Sequence, residues 1–220
     1  MIGSIRDRFS EADLEAIRDA TREAESASAG EIVTVIVARS GSYESAYWKA
    51  MLFASALGFG GMLAFLRRFG GWLESESLWL AVGAIVGAAL AAVAVRFSDT
   101  VRRLAAGEEA LERQTLARAR QAFIDEEVAH TRERTGVLLF LALFEHRVHL
   151  LADRGIAERV EEASWTELTE RLAAGLAKGR PREALLEALR SCGELLERSG
   201  VERRADDRNE HADRPRLHDA

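Results

Sequence analysis

The sequence predicts an α/β domain, a small mixed sheet flanked by helices, that is interrupted by a hairpin of two membrane-spanning helices. Two uncharged apolar runs, Ala50–Leu66 and Ser77–Val95, have 17 and 19 residues. About 20 such residues cross a hydrocarbon core as a helix. Shorter apolar segments on either side, Glu31–Ala38 and Val137–Phe144, indicate buried strands. Neither flanking piece can form a sheet alone, so we expect the two strands to pair in one split domain.

Composition excludes several classes of protein. The chain has 220 residues, of which 48% are hydrophobic and 30% are charged, which is too apolar for a disordered chain. A single cysteine, Cys192, excludes an intramolecular disulfide framework and a cysteine-based zinc site, and its apolar helical surroundings predict a buried thiol. The formal charge of −6 argues against a nucleic-acid partner.

The first helix and strand have clear local signals. Ser10 can cap the N–H of Asp13 and begin a helix, which Gly30 then ends. The segment Glu31–Ala38 is β-branched and apolar on both faces, which predicts a central strand.

The two apolar runs predict spans at about residues 47–66 and 77–95, within a hairpin at 46–96. Aromatic side chains that favour the headgroup layer lie at their ends: Tyr43, Tyr47, Trp48, Trp72 and Trp79. Gly83 and Gly87 form a GxxxG packing face. A buried helical hairpin in a soluble protein is the alternative, and homo-oligomerisation through the GxxxG face stays open.

Cationic residues near the spans predict the orientation of the hairpin. The side that carries both termini is rich in Arg and Lys within about 20 residues of the spans: Arg39, Lys49, Arg96, Arg102, Arg103 and Arg113. The connector Arg67–Glu76 carries only the pair Arg67 and Arg68. We therefore expect a multi-pass inner-membrane protein with both termini in the cytoplasm.

The chain after the spans predicts the rest of the domain. Ser98 can cap a long helical stretch to about Arg134, with Gly107 as a break, and Asp125-Glu126-Glu127 reads as a solvated face. A hairpin follows, with Val137–Phe144 as its first strand and Arg147–Asp153 as its second. A capping box at Ser164–Glu167 and Pro181 begin two more helices. The predicted divisions are 1–45 and 97–200 for the split domain, 46–96 for the hairpin and 201–220 for a disordered tail.

Three segments carry a resemblance to a known family: Phe9–Val37, Arg134–Ile156 and Trp165–Leu189. Their Gly-Glu-Ile and Thr-Gly-Val-Leu-Leu strand entries and the Arg-Gly-Ile loop resemble the TPM domain of bacterial membrane-associated proteins. The resemblance implies a mixed sheet flanked by helices and binding of a divalent cation, notably calcium. It implies phosphatase activity as in some members, or an assembly or quality-control role as in others. Asp153–Ile156 differs from the Gly-Tyr-Gly-Leu common in the family.

Candidate site residues lie around the predicted β-hairpin. Glu145, His146 and Asp153 are the candidates for metal binding or acid–base chemistry, with Asp153 favoured because it ends a strand. A polar turn and a loop capped by Asp153 are the structural alternative. The chain has no nucleophile-elbow or Walker motif.

Two functions follow from these observations. We expect an interaction, assembly or quality-control module whose partners are the lipid bilayer and another membrane or cytoplasmic protein. The alternative is a membrane-anchored, divalent-cation-dependent phosphatase of the TPM type. The sequence leaves open whether the protein is an enzyme and whether it binds a metal.

Overall fold

The structure, a computed structural model, describes residues 4–26, 28–69, 75–131, 133–200 and 211–218. Its helices are α1 Glu11–Ser26, α2 Glu44–Phe69, α3 Glu76–Phe97, α4 Asp99–Ala106, α5 Glu108–Asp125, α6 Arg154–Ala157, α7 Glu162–Ala177 and α8 Pro181–Arg198. Its strands are β1 Glu31–Val37, β2 Gly136–Ala142, β3 Arg147–Ala152 and β4 Arg216–His218. The chain forms two compact units, residues 42–111 and residues 2–41 with 112–220.

The second unit contains a mixed four-stranded sheet with the order β3-β2-β1-β4. β1 is parallel to β2, with Glu31 opposite Gly136 and Val37 opposite Ala142. β2 and β3 are antiparallel, and β4 lies parallel to β1 on its other side. The segment before the hairpin therefore joins the segment after it in one sheet, as the sequence predicts.

Helices cover both faces of the sheet, which explains why every residue of β1 and β2 is buried. Side chains alternate between the faces along each strand. Ile32, Ile36, Leu139 and Leu141 pack in a core with residues of α1, α7 and α8. Val33, Val35, Leu138 and Phe140 face the opposite way and pack with Ala119 and Ala122 of α5.

The first helix begins as its sequence indicates. The Ser10 hydroxyl accepts a hydrogen bond from the Asp13 N–H (3.2 Å), and the Asp13 carboxylate accepts from the Ser10 N–H (2.9 Å). These reciprocal bonds satisfy amides that a helix leaves unpaired at its start. The Ser10 hydroxyl also donates to the Asp13 carboxylate (2.8 Å); this bond, followed by that of the Ser10 N–H, lowers the pKa of Asp13, with a smaller contribution from Arg182.

Three predicted boundaries differ from the structure. The helical stretch after Ser98 breaks at Gly107 as predicted, where φ is 84°, but α5 ends at Asp125 and not near Arg134. β2 ends at Ala142 because residues 143–146 form the turn into β3. The capping box at Ser164 is wrong, since the Ser164 N–H already donates to the Glu161 carbonyl within the first turn of α7.

The predicted disordered tail is wrong for residues 211–218, whereas 201–210, 219 and 220 lie outside the described residues. β4 adds to the free edge of β1, with Arg216 opposite Val35 and His218 opposite Val37. Ion pairs hold the tail as well: Arg22 with Asp213, and Arg214 with Glu11. Edge pairing and charge give the segment order although its sequence has little apolar surface.

The first unit is built on α2 and α3, which are long and apolar enough to cross a membrane. It continues to Leu111, beyond the predicted end of the hairpin at 96, because α4 packs on α2 and α3. The buried Arg102 side chain of α4 donates to the Val95 carbonyl (3.2 and 3.3 Å) and lies 5.5 Å from the Tyr47 ring centroid. Arg102 thus caps the end of α3. Residues 70–74 of the predicted connector lie outside the described residues.

Candidate functional site

Glu145 and His146 occupy the tight turn between β2 and β3. The Glu145 side chain is buried, and its Oε1 accepts a hydrogen bond from the Ser40 N–H at 2.7 Å. His146 has a φ of 54°, in the left-handed region, as the turn requires. The Arg39 guanidinium lies 4.9 Å from the centroid of the Phe144 ring. Glu145 therefore fixes the chain that leaves β1 beside the turn that follows β2.

Asp153 lies where β3 ends and the short helix α6 begins. It is 9% exposed, and its Oδ1 accepts from the Arg154 N–H at 2.7 Å. Its own N–H donates to the Gly136 carbonyl (2.8 Å), and Arg134 Nε lies 3.8 Å from its Oδ2. Asp153 thus caps α6 and connects that helix to the start of β2. This is the structural role, a loop capped by Asp153, that the sequence offers as the alternative to a ligand site.

The structure does not bring the three candidate residues together. Glu145 and His146 follow the last residue of β2, whereas Asp153 is bonded to its first residue. Seven residues of strand at about 3.3 Å each separate these positions by about 20 Å. Within the described ranges, no group of three or more His, Cys, Asp or Glu side chains is arranged to hold a metal ion.

A polar cluster that the sequence did not reveal joins β3 to α5. His149 Nε2 lies 2.9 Å from Thr115 Oγ1, and Arg147 pairs with Glu112 at 3.3 Å. The Thr115 hydroxyl donates to the Glu112 carbonyl (3.0 Å), so it accepts from the His149 Nε2–H. Burial lowers the pKa of His149, although the Glu112 carboxylate acts in the opposite direction. The neutral imidazole is thus the form that the cluster stabilises.

The Thr115–His149–Glu112 set resembles a nucleophile, base and acid only in composition. Thr115 is completely buried, so a substrate cannot reach its hydroxyl. Glu112 Oε1 lies 3.9 Å from Nε2, the same ring nitrogen that contacts Thr115. A catalytic triad instead needs the carboxylate at the other nitrogen. The cluster fastens β3 to α5 and has no geometry for attack on a substrate.

A second polar cluster lies at the opposite edge of the sheet, around Glu126. Its carboxylate pairs with Arg216 and with His218 Nε2, the latter at 3.2 Å. The Glu126 side chain is only 18% exposed, so it is not part of a solvated helix face as predicted. The carboxylate contacts a guanidinium and an imidazole from consecutive same-face positions of β4.

Open grooves lie between α7 and α8. One, of about 230 Å³, is lined by Glu167, Arg171, Glu194 and Arg198 among others. Arg171 pairs with Glu167, and Arg198 pairs with Glu194 at 2.8 Å. Each guanidinium therefore already has a carboxylate one helical turn away, so the groove offers no excess charge to an anion.

Gly83 and Gly87 lie against α2 of the same chain. A Cβ placed on Gly87 would be 2.2 Å from the Ala54 carbonyl oxygen, and one on Gly83 would be 2.6 Å from that of Gly58. Backbone contact this close requires residues without side chains. The face that was left open to a second copy is therefore occupied by α2, which argues against homo-oligomerisation through it.

The other faces of α2 and α3 are apolar and uncovered. Only 6% of the most apolar window of α2 is buried, and 11% of that of α3. Large exposed side chains follow both helices: Trp48, Leu52, Phe53, Leu57, Phe59, Phe65, Phe69, Leu78, Trp79, Ile85, Val86, Leu90, Val93 and Phe97. A soluble monomer rarely exposes an apolar surface that is continuous over several hundred Å².

Comparison with known proteins identifies a solved structure with a similar fold. No protein-family model and no curated protein matches the chain. The structure is similar to the NMR structure of the BA42 protein from the psychrophilic bacterium Bizionia argentinensis, with a TM-score of 0.58. The match covers 96% of this chain and 95% of that one at 14% identity, a level at which the likeness shows the fold alone.

Proposed function

We propose that the protein is an integral membrane protein in which α2 and α3 form a transmembrane hairpin and the TPM-like α/β unit is a cytoplasmic interaction or assembly module. The observation that carries this proposal is the uncovered apolar surface of the two helices. A core helix of a soluble protein buries such side chains, whereas these stay exposed in the folded chain.

The dimensions of the helices support a membrane location. At about 1.5 Å per residue, the 26 residues of α2 extend about 39 Å and the 22 residues of α3 about 33 Å. A hydrocarbon core is about 30 Å thick. Trp48 and Trp79, both exposed, lie near the starts of α2 and α3 respectively, where the indole ring suits the headgroup layer.

Charge supports a cytoplasmic position for both termini in an inner membrane. Lys49, Arg96 and Arg103 lie at the end of the hairpin from which both chain segments leave. The opposite end carries Arg67 and Arg68 in the last turn of α2, together with Glu76 in the first turn of α3. The excess of cations on the side of the termini favours their retention in the cytoplasm.

The state of the candidate residues supports a module over an enzyme. Glu145 accepts a backbone N–H, Asp153 caps α6, and the two lie at opposite ends of β2. The TPM assignment is supported by the three segments that resemble that family and by a mixed sheet flanked by helices, the architecture that the resemblance implies. A divalent-cation-dependent phosphatase is the rival, and its calcium site would require acidic groups that converge.

Membrane integration is tested by alkaline extraction and ultracentrifugation of cells that express the full chain. We expect the protein in the carbonate-resistant pellet and its release only by detergent. A Glu133→Cys variant tests orientation, because Glu133 is exposed and the native Cys192 is buried. An impermeant maleimide should label this variant only after lysis. Recovery in the carbonate supernatant would refute the spans, and labelling of intact cells would refute the orientation.

The module and the phosphatase differ in one assay. Purified protein is incubated with a phosphoester in the presence of Ca²⁺, Mg²⁺ or a chelator. We expect no cation-dependent hydrolysis. An Asp153→Asn variant keeps an oxygen that can cap α6 but removes the carboxylate. Cation-dependent hydrolysis that this variant loses while it stays folded would establish the phosphatase.

A further inference from the structure

We propose that the β1 edge now occupied by β4 is a docking site for an extended basic–apolar–basic segment of a partner protein, and that the C-terminal tail occupies this site until the partner displaces it. This inference rests on the proposed interaction role and gives that role a binding surface and a partner chemistry.

The edge of β1 accepts a strand, and within the described residues the tail pairs with only part of it as a strand. Pairing with β2 extends over all seven residues of β1, whereas β4 pairs only with Val35–Val37. The Glu31 N–H donates to Thr135 on the β2 side, so the next N–H along the strand, that of Ile32, points to the opposite edge. There it donates to Glu25 Oε1 at 2.7 Å instead of to a strand. A longer segment could therefore extend the pairing that β4 begins.

Side-chain positions along β4 define what the edge recognises. Arg216 and His218 lie opposite Val35 and Val37, on the α5 side of the sheet, and both pair with Glu126. Leu217 lies between them and packs against the core on the other face. The sequence Arg-Leu-His thus places two basic side chains on one carboxylate and one apolar side chain on the opposite face.

Acidic residues surround the edge and match a basic partner. The Glu126 carboxylate contacts Arg216 and His218 of β4. The Glu31 carboxylate accepts from the His211 N–H (3.4 Å), and Glu11 pairs with Arg214 at 2.9 Å. The Glu11–Arg214 pair is more than 60% exposed on both sides, so water and salt screen it strongly. The tail is therefore held mainly by three residues of strand, by the partly buried Glu126 carboxylate and by the pair of Arg22 with the buried Asp213.

The tail is a replaceable occupant because its hold depends on attachment to the same chain. A tethered segment acts at an effective concentration of the order of millimolar, which a free peptide at micromolar concentration does not match. A partner held beside the protein in the same membrane reaches comparable local concentrations. A longer segment with the same charge pattern then competes successfully.

The test measures binding of a fluorescein-labelled peptide of residues 211–220, HADRPRLHDA, to the full chain in detergent micelles by fluorescence anisotropy. Wild-type protein should bind it weakly, since the tail occupies the edge. The double variant Arg216→Glu, His218→Glu repels its own tail from Glu126 and should bind the peptide at least about ten-fold more tightly. The control variant Arg214→Glu alters only the exposed pair, and its affinity should change less than about two-fold.

A charge exchange completes the experiment. The single variant Glu126→Arg also repels the native tail, so it should bind the native peptide at least about ten-fold more weakly than the double variant does, but bind a peptide in which Arg216 and His218 are replaced by Glu. Equal affinity of the native peptide for wild-type protein and the double variant overturns the proposal, as does binding of the native peptide to Glu126→Arg that is as tight as its binding to the double variant. Either result leaves membrane integration intact, so failure here is distinct from failure in the carbonate extraction.

Discussion

Substitution of Gly58 by alanine should separate α2 from α3. The new Cβ would lie 2.1 Å from the Gly83 carbonyl oxygen and 3.3 Å from the Gly87 Cα, both backbone atoms that cannot rotate away. Ordinary contact begins at 3.4 Å, so the helices must move apart by about 1.3 Å at this point. Overpacking of this kind costs about 1–3 kcal/mol.

Gly61→Ala is the matched control. Gly61 lies on the same helix as Gly58, but a Cβ placed there meets no atom of another segment within 4 Å. Alanine there removes the helix-propensity penalty of glycine, up to about 1 kcal/mol. Alanine at Gly58 gains the same propensity, so the two variants should differ by the overpacking cost of about 1–3 kcal/mol, with Gly58→Ala the less stable. The assay is unfolding of the full chain by sodium dodecyl sulfate in mixed micelles, followed by far-UV circular dichroism. Equal midpoints for Gly58→Ala and Gly61→Ala would show that the two helices do not meet at Gly58.

Three further variants or treatments test the α/β unit. Asp153→Ala should lose about 0.5–2 kcal/mol of stability in the same unfolding assay, and Asp153→Asn much less, because asparagine still caps α6; equal losses would contradict the capping role. His149 has a pKa below its ordinary value of about 6.5, so the unfolded chain binds the proton first and stability should fall as pH falls below 6.5, by up to about 1.4 kcal/mol per pH unit. His149→Gln should flatten the dependence of stability on pH below 6.5. An unchanged slope in this variant would show that His149 is not the titrating group. Burial raises the pKa of the Cys192 thiol to about 12, so iodoacetamide at pH 8 should modify it only after unfolding, as mass spectrometry can show; rapid modification of the folded protein would refute its burial.

Local signals in the sequence predicted those parts of the fold that local physics determines. Ser10 and Asp13 lie three residues apart, so their reciprocal bonds can be expected from the sequence. The pairing of β1 with β2 followed from two apolar strands that each needed a partner. β4 was missed because Arg-Leu-His has no strand pattern of its own and is stabilised by the β1 edge and by Glu126.

The sequence pattern does not show which polar residues lie close together in the fold. Glu145, His146 and Asp153 were selected because polar residues follow apolar strands, but the antiparallel pairing of β2 and β3 places them at opposite ends of the hairpin. His149 and Thr115 are 34 positions apart and meet only because α5 crosses the face of the sheet. Contacts between distant segments of this kind leave no spacing signal in the sequence.

The order in which the strands emerge from the ribosome has a consequence for biogenesis. Glu31 and Gly136, which pair in the sheet, are about 100 positions apart, so β1 waits about 5–20 s for its neighbour at ordinary rates of translation. Both apolar helices are synthesised within that interval. During it β1, which is buried at every residue in the folded protein, has neither neighbouring strand, and a nascent chain must be shielded from aggregation until β2 appears.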